Sequence, residues 1–408
     1  MVSTKQKAAP SFVEFVIIIS LMMSLTAFSI DSLLPSLHQI SSELGVRNPN
    51  DRQLVVSVFY FGMALGQLFF GPLSDHTGRK KAIYIGYAGY IIGAIISATA
   101  MNFTVLLLGR LLQGLGVSSP RGVSLAVVRD QYSGNRMARV MSFAMTVFIL
   151  VPTIAPTIGQ AILSLVNWRG NFVAFIVFAL ISFIWFAVRM PETLVPENHI
   201  RFTGKRILLS IDEIVKNRFA FGFTLASGCV YGVFVSYLNS SQQILQEQYG
   251  LGHLFPLFFA MIALSLGLAS FMNSRLVLRF GMLRLVQWAL QAQIILAVIF
   301  FAILLGLPGQ PPLWGLLTFF MLFYFCTGVL FGNINSLAMQ PLGHLAGIGS
   351  GVVGSFSMLI AMVFGTIIGR AYNGTIFPIV IGMIVLTGAS ILISRWAVSG
   401  KQSLPDLT

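Results

Sequence analysis

Twelve apolar stretches separated by short polar loops decide what this chain can fold into. They cover residues 12–34, 53–72, 82–101, 103–127, 138–163, 172–190, 218–240, 254–274, 285–306, 313–336, 346–369 and 376–396. A helix rising about 1.5 Å per residue needs roughly 20 apolar residues to cross hydrocarbon, and each stretch supplies about that. No water is available there to satisfy backbone N–H and C=O groups, so these lengths fit helices and not barrel strands. Composition agrees, with 56% hydrophobic and 9% charged residues. The sequence predicts an all-α integral membrane protein of twelve transmembrane helices.

Positive charge is retained on the cytoplasmic side of short loops. Placing residue 1 inside puts 19 of the 25 Lys and Arg residues on that side, leaves Arg47, Arg52, Arg169 and Arg370 opposite, and keeps Arg110 and Arg121 within the fourth span. Both termini are therefore expected to be cytoplasmic, in a multi-pass protein of the cytoplasmic (inner) membrane. The first span is too long for the apolar core of a secretory signal, so it is expected to remain a transmembrane helix. The net charge of +13 is spread over short loops, a pattern that suits anionic lipid and offers nucleic acid no docking surface. Cys229 and Cys326 lie inside spans, and the five histidines are scattered near span ends. Ligand residues normally cluster, so no metal is expected. No nucleophile stands at a usable spacing from a base and an orienting group, which argues against an enzyme.

The longest polar stretch, Pro191 to about Lys216, divides the spans six and six. Residues 1–190 and 218–408 are read as two six-helix halves around a central cavity, with residues 191–217 as a cytoplasmic linker. A parallel repeat would make the loop after span eight echo the loop after span two. Placing Gly281 on Gly78 puts Ser274 on Gly71, with Arg275, Arg279 and Arg284 around the turn, although Leu278 replaces Asp75.

Asp31 is the one acid well inside an apolar span. On a helix it shares a face with Ala27, Ser24 and Ser20, a small polar stripe that faces protein or water. Intramembrane carboxylates mark ion pathways, which makes Asp31 the leading functional candidate; a structural cap or pair is the alternative. Arg110 lies at a similar depth in span four, so a direct or water-mediated pair with Asp31 is possible if the two helices are neighbours. Gln113, Val117, Arg121 and Ser124 share the face of Arg110 and form a polar track that favours a wet cavity. A structural arginine bonded to backbone carbonyls is the competing reading. An aspartate moved between buried and hydrated surroundings changes its protonation, so a conformational switch there would carry a proton. Glycines in spans two and eleven permit sliding helix contacts, and Pro152, Pro156 and Gly159 in span five permit bending and close approach.

These motifs resemble the major facilitator superfamily. In GPLSDHTGRKK, residues 71–81, Gly71, Asp75, Gly78 and Arg79 occupy the family's loop pattern, while His76 stands where an Arg is usual. LLLGRLLQGLG, residues 106–116, is similar to the family's fourth-span motif at Arg110, Gln113 and Gly114, which implies a part for Arg110 in proton coupling. VPTIAPTIGQ, residues 151–160, matches the fifth-span antiporter motif at Pro156 and Gly159, with Ala155 and Gln160 in place of glycines. IDSLLPSL, residues 30–37, and residues 332–351 resemble the Bcr/CflA branch of multidrug:proton antiporters. That resemblance implies that Asp31 is the coupling acid, that Asn333 lies near the central pathway, and that Asp75, Arg79 and Asp130 latch the cytoplasmic side against a helix starting near Gly347.

The expected function is secondary active export of small amphiphilic compounds, drugs or antibiotics, in exchange for protons by alternating access. Tyr60, Gln113, Phe148, Tyr231, Phe234 and Asn333 are the candidate cavity residues, since aromatics and amides make adaptable contacts. The proton is the expected coupling ion, with no cofactor. A small-molecule substrate and membrane lipid are the expected partners of a monomer. A specific metabolite exporter or importer on the same fold, or a membrane sensor without transport, remains open.

Overall fold

A computed structural model describes residues 10–399 apart from 196, 198, 200–202 and 308. Among the described residues the long helices number twelve: α1 Phe12–Asp31, α2 Leu54–Thr77, α3 Arg79–Ala98, α4 Phe103–Gln131, α5 Gly134–Leu165, α6 Trp168–Arg189, α7 Arg218–Ser241, α8 Phe255–Phe280, α9 Met282–Gly306, α10 Leu313–Met339, α11 Ala346–Arg370 and α12 Phe377–Ser399. Ten are long and apolar enough to cross a membrane. The other two are α4, which carries Arg110, Arg121, Arg129 and Asp130, and α5, whose apolar part is the shorter Leu150–Leu165. Burial among neighbouring helices makes the polar track of α4 tolerable, because its polar groups find protein partners instead of lipid.

Helices α1–α6 pack mainly on one another, as do α7–α12, and the groups are joined chiefly by α2 with α11 and α5 with α8. Small residues set the spacing. A Cβ on Gly62 would collide with the Leu111 carbonyl, and one on Gly114 with the Phe59 carbonyl, so α2 and α4 touch backbone to backbone. Gly159 admits the Ser32 carbonyl, seating α5 against the end of α1. Gly78 at φ 94° and Gly281 at φ 75°, both with ψ 155°, make the turns from α2 to α3 and from α8 to α9. The two loops thus share a glycine-dependent backbone even where Leu278 has replaced the acid.

The α1 helix stops at Asp31. The chain then takes a 3-10 turn, Leu34–Ser36, and a short helix, Leu37–Glu43, so the first apolar stretch is one helix and a bend rather than a helix to residue 34. Pro35 in that turn removes a backbone donor and favours the break. The polar stretch before α7 contains an amphipathic helix, Gly204–Lys216, packed on α7 and α11. The face on which α1 begins and α12 ends is called the terminal face below, and the opposite side the far face.

Candidate functional site

A chamber of about 140 Å³ lies at the middle of the bundle. Its wall is aromatic and aliphatic, with Tyr60, Tyr231, Phe234, Tyr237, Tyr324 and Phe331 among the rings. Two formally charged side chains line it, Asp31 from α1 and Arg121 from α4. Pro152 lines it from α5. Tyr231 and Phe331 stack with ring centres 4.6 Å apart, and Phe234 meets Phe331 edge-on at 5.5 Å. Such rings give a broad apolar surface with few polar handles, as small-molecule sites do.

Asp31 is only 5% exposed, and among the described residues no hydrogen bond or ion pair reaches its carboxyl group. Ser29, two residues earlier, turns the other way and shares a hydrogen bond of 2.5 Å with the Tyr90 hydroxyl. The break after α1 therefore leaves Asp31 facing the chamber while its neighbours hold the helix to α3 and α5.

Arg110 does not pair with Asp31. Its Nε donates to the Val55 carbonyl at 3.0 Å, and its Nη1 donates to the Ser29 carbonyl at 3.3 Å and to Gln113 Oε1 at 3.2 Å. The guanidinium carbon lies 4.3 Å from the centre of the Phe59 ring. Although α1 and α4 are neighbours, no hydrogen bond or ion pair joins the two: Nη1 is spent on the Ser29 carbonyl and Gln113, and Nη2 is buried without a hydrogen-bond partner. Arg110 thereby ties α1, α2 and α4 together from a fully buried position.

The remaining sequence candidates divide. Tyr60, Tyr231 and Phe234 line the chamber. Gln113 does not; it is fully buried, accepts from Arg110 and lies against Gly93, so α3 covers that face of α4. Asn333 is also turned away, exchanging hydrogen bonds with Asn273 and donating to the Val329 carbonyl at 3.0 Å. Its near neighbour Asn335 lines a second cavity instead. The side chain of Phe148 lies outside the described residues. Gly159 seats α5 on Ser32, and Pro156 lies one turn before it within α5.

That second cavity, about 380 Å³, runs from the chamber towards the terminal face and is lined by Gln67, Ser118, Arg121, Arg129, Asn335 and Ser336 among others. Arg121, Tyr231 and Met358 border both spaces. At its mouth Arg79 donates to Asp75 at 2.5 Å, Asp130 at 2.9 Å and Ser74 at 2.9 Å. Gly78 lets the chain turn beside Glu192, whose carboxylate accepts the backbone N–H groups of Arg79 and Lys80 at 2.9 and 3.0 Å and so caps α3. Gly71 and Gly347 bring α2 and the first turn of α11 together, and a Cβ on Gly347 would lie 3.3 Å from Asp75 Oδ2.

The far face is closed by a seam that spacing in the sequence does not reveal. Arg52, 3% exposed, grips Glu247 through both terminal nitrogens at 2.7 and 2.6 Å, and His38 Nδ1 lies 2.9 Å from the same carboxylate. Gln53 donates to Gln243 at 2.5 Å and to the Gly369 carbonyl at 3.0 Å. Arg370 holds Asp51 at 2.6 Å, and Asn50 reaches the Tyr372 carbonyl at 2.7 Å. The only available signal was that two polar clusters, NPNDRQ at 48–53 and QQILQEQ at 242–248, end spans on the same side.

Known proteins share this organisation. The chain is 28% identical over 393 residues to a bicyclomycin resistance protein homolog of Haemophilus influenzae, covering 93% of this chain and 94% of the relative. It is 28% identical over 363 residues to the multidrug resistance protein MdtL of Shewanella oneidensis, covering 87% and 89% of the two chains. The xylose transporter XylE from E. coli superposes with a TM-score of 0.72 at 12% identity, covering 97% of this chain and 99% of that one, a likeness of fold. The profile of the Major Facilitator Superfamily matches residues 16–366, and the chain is a membrane transporter belonging to that family.

Proposed function

We propose that this transporter exports small amphiphilic compounds, drugs or antibiotics among them, in exchange for protons. The observation that carries the reading is Asp31, a carboxyl group in an aromatic chamber with no partner among the described residues. A carboxyl so placed binds a proton or a substrate but cannot hold an anionic charge cheaply, so occupancy by one competes with the other. Relatives named for bicyclomycin and multidrug resistance support the substrate class.

In this reading the terminal face is cytoplasmic, the two six-helix groups are the rocking units, and the state described here is sealed outside and accessible from inside. Substrate enters past Arg121, the far seam opens, and an external proton at Asp31 displaces the substrate. Arg110 is a positioning residue, fixing the ends of α1, α2 and α4 through backbone carbonyls. Asp75, Arg79 and Asp130 act as the inner latch against α11 when the cytoplasmic side closes. Pro152 and Gly159 let α5 bend and slide as it does so.

The test is transport in proteoliposomes loaded with ethidium and, separately, with chloramphenicol. With the compound at equal concentration on both sides, an imposed pH gradient, acid outside, is expected to drive net release of at least one compound, and a protonophore to abolish it. Transport that a protonophore leaves unchanged would remove proton exchange. Movement of one metabolite class alone would replace the drug reading with a specific carrier.

A further inference from the structure

The chamber wall contains hydroxyl groups that the bundle leaves unused. Tyr237, 2% exposed, has its ring held on three sides by Phe259, Phe320 and Tyr324, with ring centres 5.6, 5.4 and 4.8 Å away. Its hydroxyl has no hydrogen-bond partner among the described residues. Thr26, 3% exposed, lines the same chamber from α1 and is likewise unpartnered, although Ser20 and Ser29 of that helix each close onto the carbonyl four residues back. Leaving a buried hydroxyl unmade is costly, so each such group calls for something that completes it.

These hydroxyls stand around the one acid of the chamber. Tyr60 joins them from α2, 6% exposed, and the Tyr60 and Tyr237 hydroxyls both lie within the field of the Asp31 carboxyl. Helices α1, α2 and α7 thus bring hydroxyl donors and a carboxylate acceptor to one small space. At about 140 Å³ the chamber is smaller than the roughly 300–1,000 Å³ that hold drug-sized ligands, so it takes the polar head of such a ligand while the rest extends into the cavity of about 380 Å³ beside it. A donor next to an acceptor matches a neutral head that carries an acceptor next to a donor. A simple ammonium group would satisfy the carboxylate and leave the O–H donors unmade.

Resting on the reading of the chamber as the substrate site, we infer that Tyr237, with Tyr60 and Thr26, sets specificity for neutral amphiphiles whose polar head is an amide. The amide carbonyl accepts from the hydroxyls, and the amide N–H donates to the Asp31 carboxylate. A proton on Asp31 puts a donor where that N–H needs an acceptor, so a substrate without charge still competes with the proton. A site built to hydrogen-bond a substrate group rejects the isostere that lacks it.

The experiment compares two fluorescent probes of the same shape, 1-naphthaleneacetamide and its hydrocarbon isostere 1-isobutylnaphthalene, binding to purified full-length protein in lipid nanodiscs, with binding to empty nanodiscs subtracted. Tyr237→Phe keeps the ring and removes only the hydroxyl. It should weaken the amide about tenfold and leave the hydrocarbon bound equally or more tightly, which also shows that the variant is folded. Tyr60→Phe and Thr26→Val should move the ratio of the two affinities in the same direction. A ratio that Tyr237→Phe leaves unchanged, or an equal loss of both probes as a packing role would give, overturns the inference while leaving the amphiphile chamber intact. Failure of wild type to bind either probe counts against the chamber reading itself and takes the inference with it.

Discussion

The two ends of the α2–α11 contact are built from different chemistry. At the far face, charged and amide groups reach from one helix group to the other: Arg52 to Glu247, Gln53 to Gln243, Asp51 to Arg370. At the terminal face, among the described residues, the buried ion pairs stay within the first six helices, Arg79 with Asp75 and Asp130, and α2 meets α11 through Asp75 beside Gly347 and Gln67 beside Gly351 and Gly354. A seam of cross-group pairs must be dismantled before that side can open. An internal cluster, by contrast, survives opening and needs only to dock. The far seam therefore stores most of the preference for the present conformation, and the inner cluster is a preformed half of the opposite lock.

Breaking the deepest pair should do most. Arg52→Gln leaves Glu247 without its bidentate partner, a loss worth about 2–5 kcal/mol where such pairs are desolvated. Spin labels placed across the far face should then report a large shift towards the open form by pulsed electron resonance; an unchanged distance distribution would mean that the seam does not hold the closed state. Arg79→Gln is expected to act the other way, weakening the inner lock and slowing turnover by about tenfold, roughly 1.4 kcal/mol. Distances at the far face should move little in that variant, which separates the two locks. Arg370→Gln removes a half-exposed pair from the same far seam, side chains being 50% and 28% exposed, so its effect should stay near 0–1 kcal/mol. Smallest is Lys216→Ala on the linker helix, whose exposed pair with Asp212 should matter by less than about 0.5 kcal/mol in thermal unfolding.

The helices were legible because hydrocarbon imposes a length and a composition on every span. Tyr60, Tyr231, Phe234 and Asp31 were also placed in the chamber by type and depth alone. Gln113 and Asn333 were not, since helical spacing gives a face but does not say which neighbour covers it. The same gap left a direct Asp31–Arg110 pair open, which the structure does not form: Arg110 turns Nη1 to the Ser29 carbonyl and to Gln113. The far seam joins residues some 190 to 320 positions apart, and no local pattern connects Arg52 with Glu247 or Asn50 with Tyr372. Nor does spacing show a helix ending at Asp31, a consequence of the bend that Pro35 starts.

The account turns on competition between substrate and a proton at Asp31. Its most direct test is proton release from purified protein in weakly buffered detergent when a bound drug is added, wild type against Asp31→Asn. Release from wild type that disappears in the variant, with drug binding retained in both, is the predicted result. Equal release from both proteins would contradict it and move the coupling site away from Asp31.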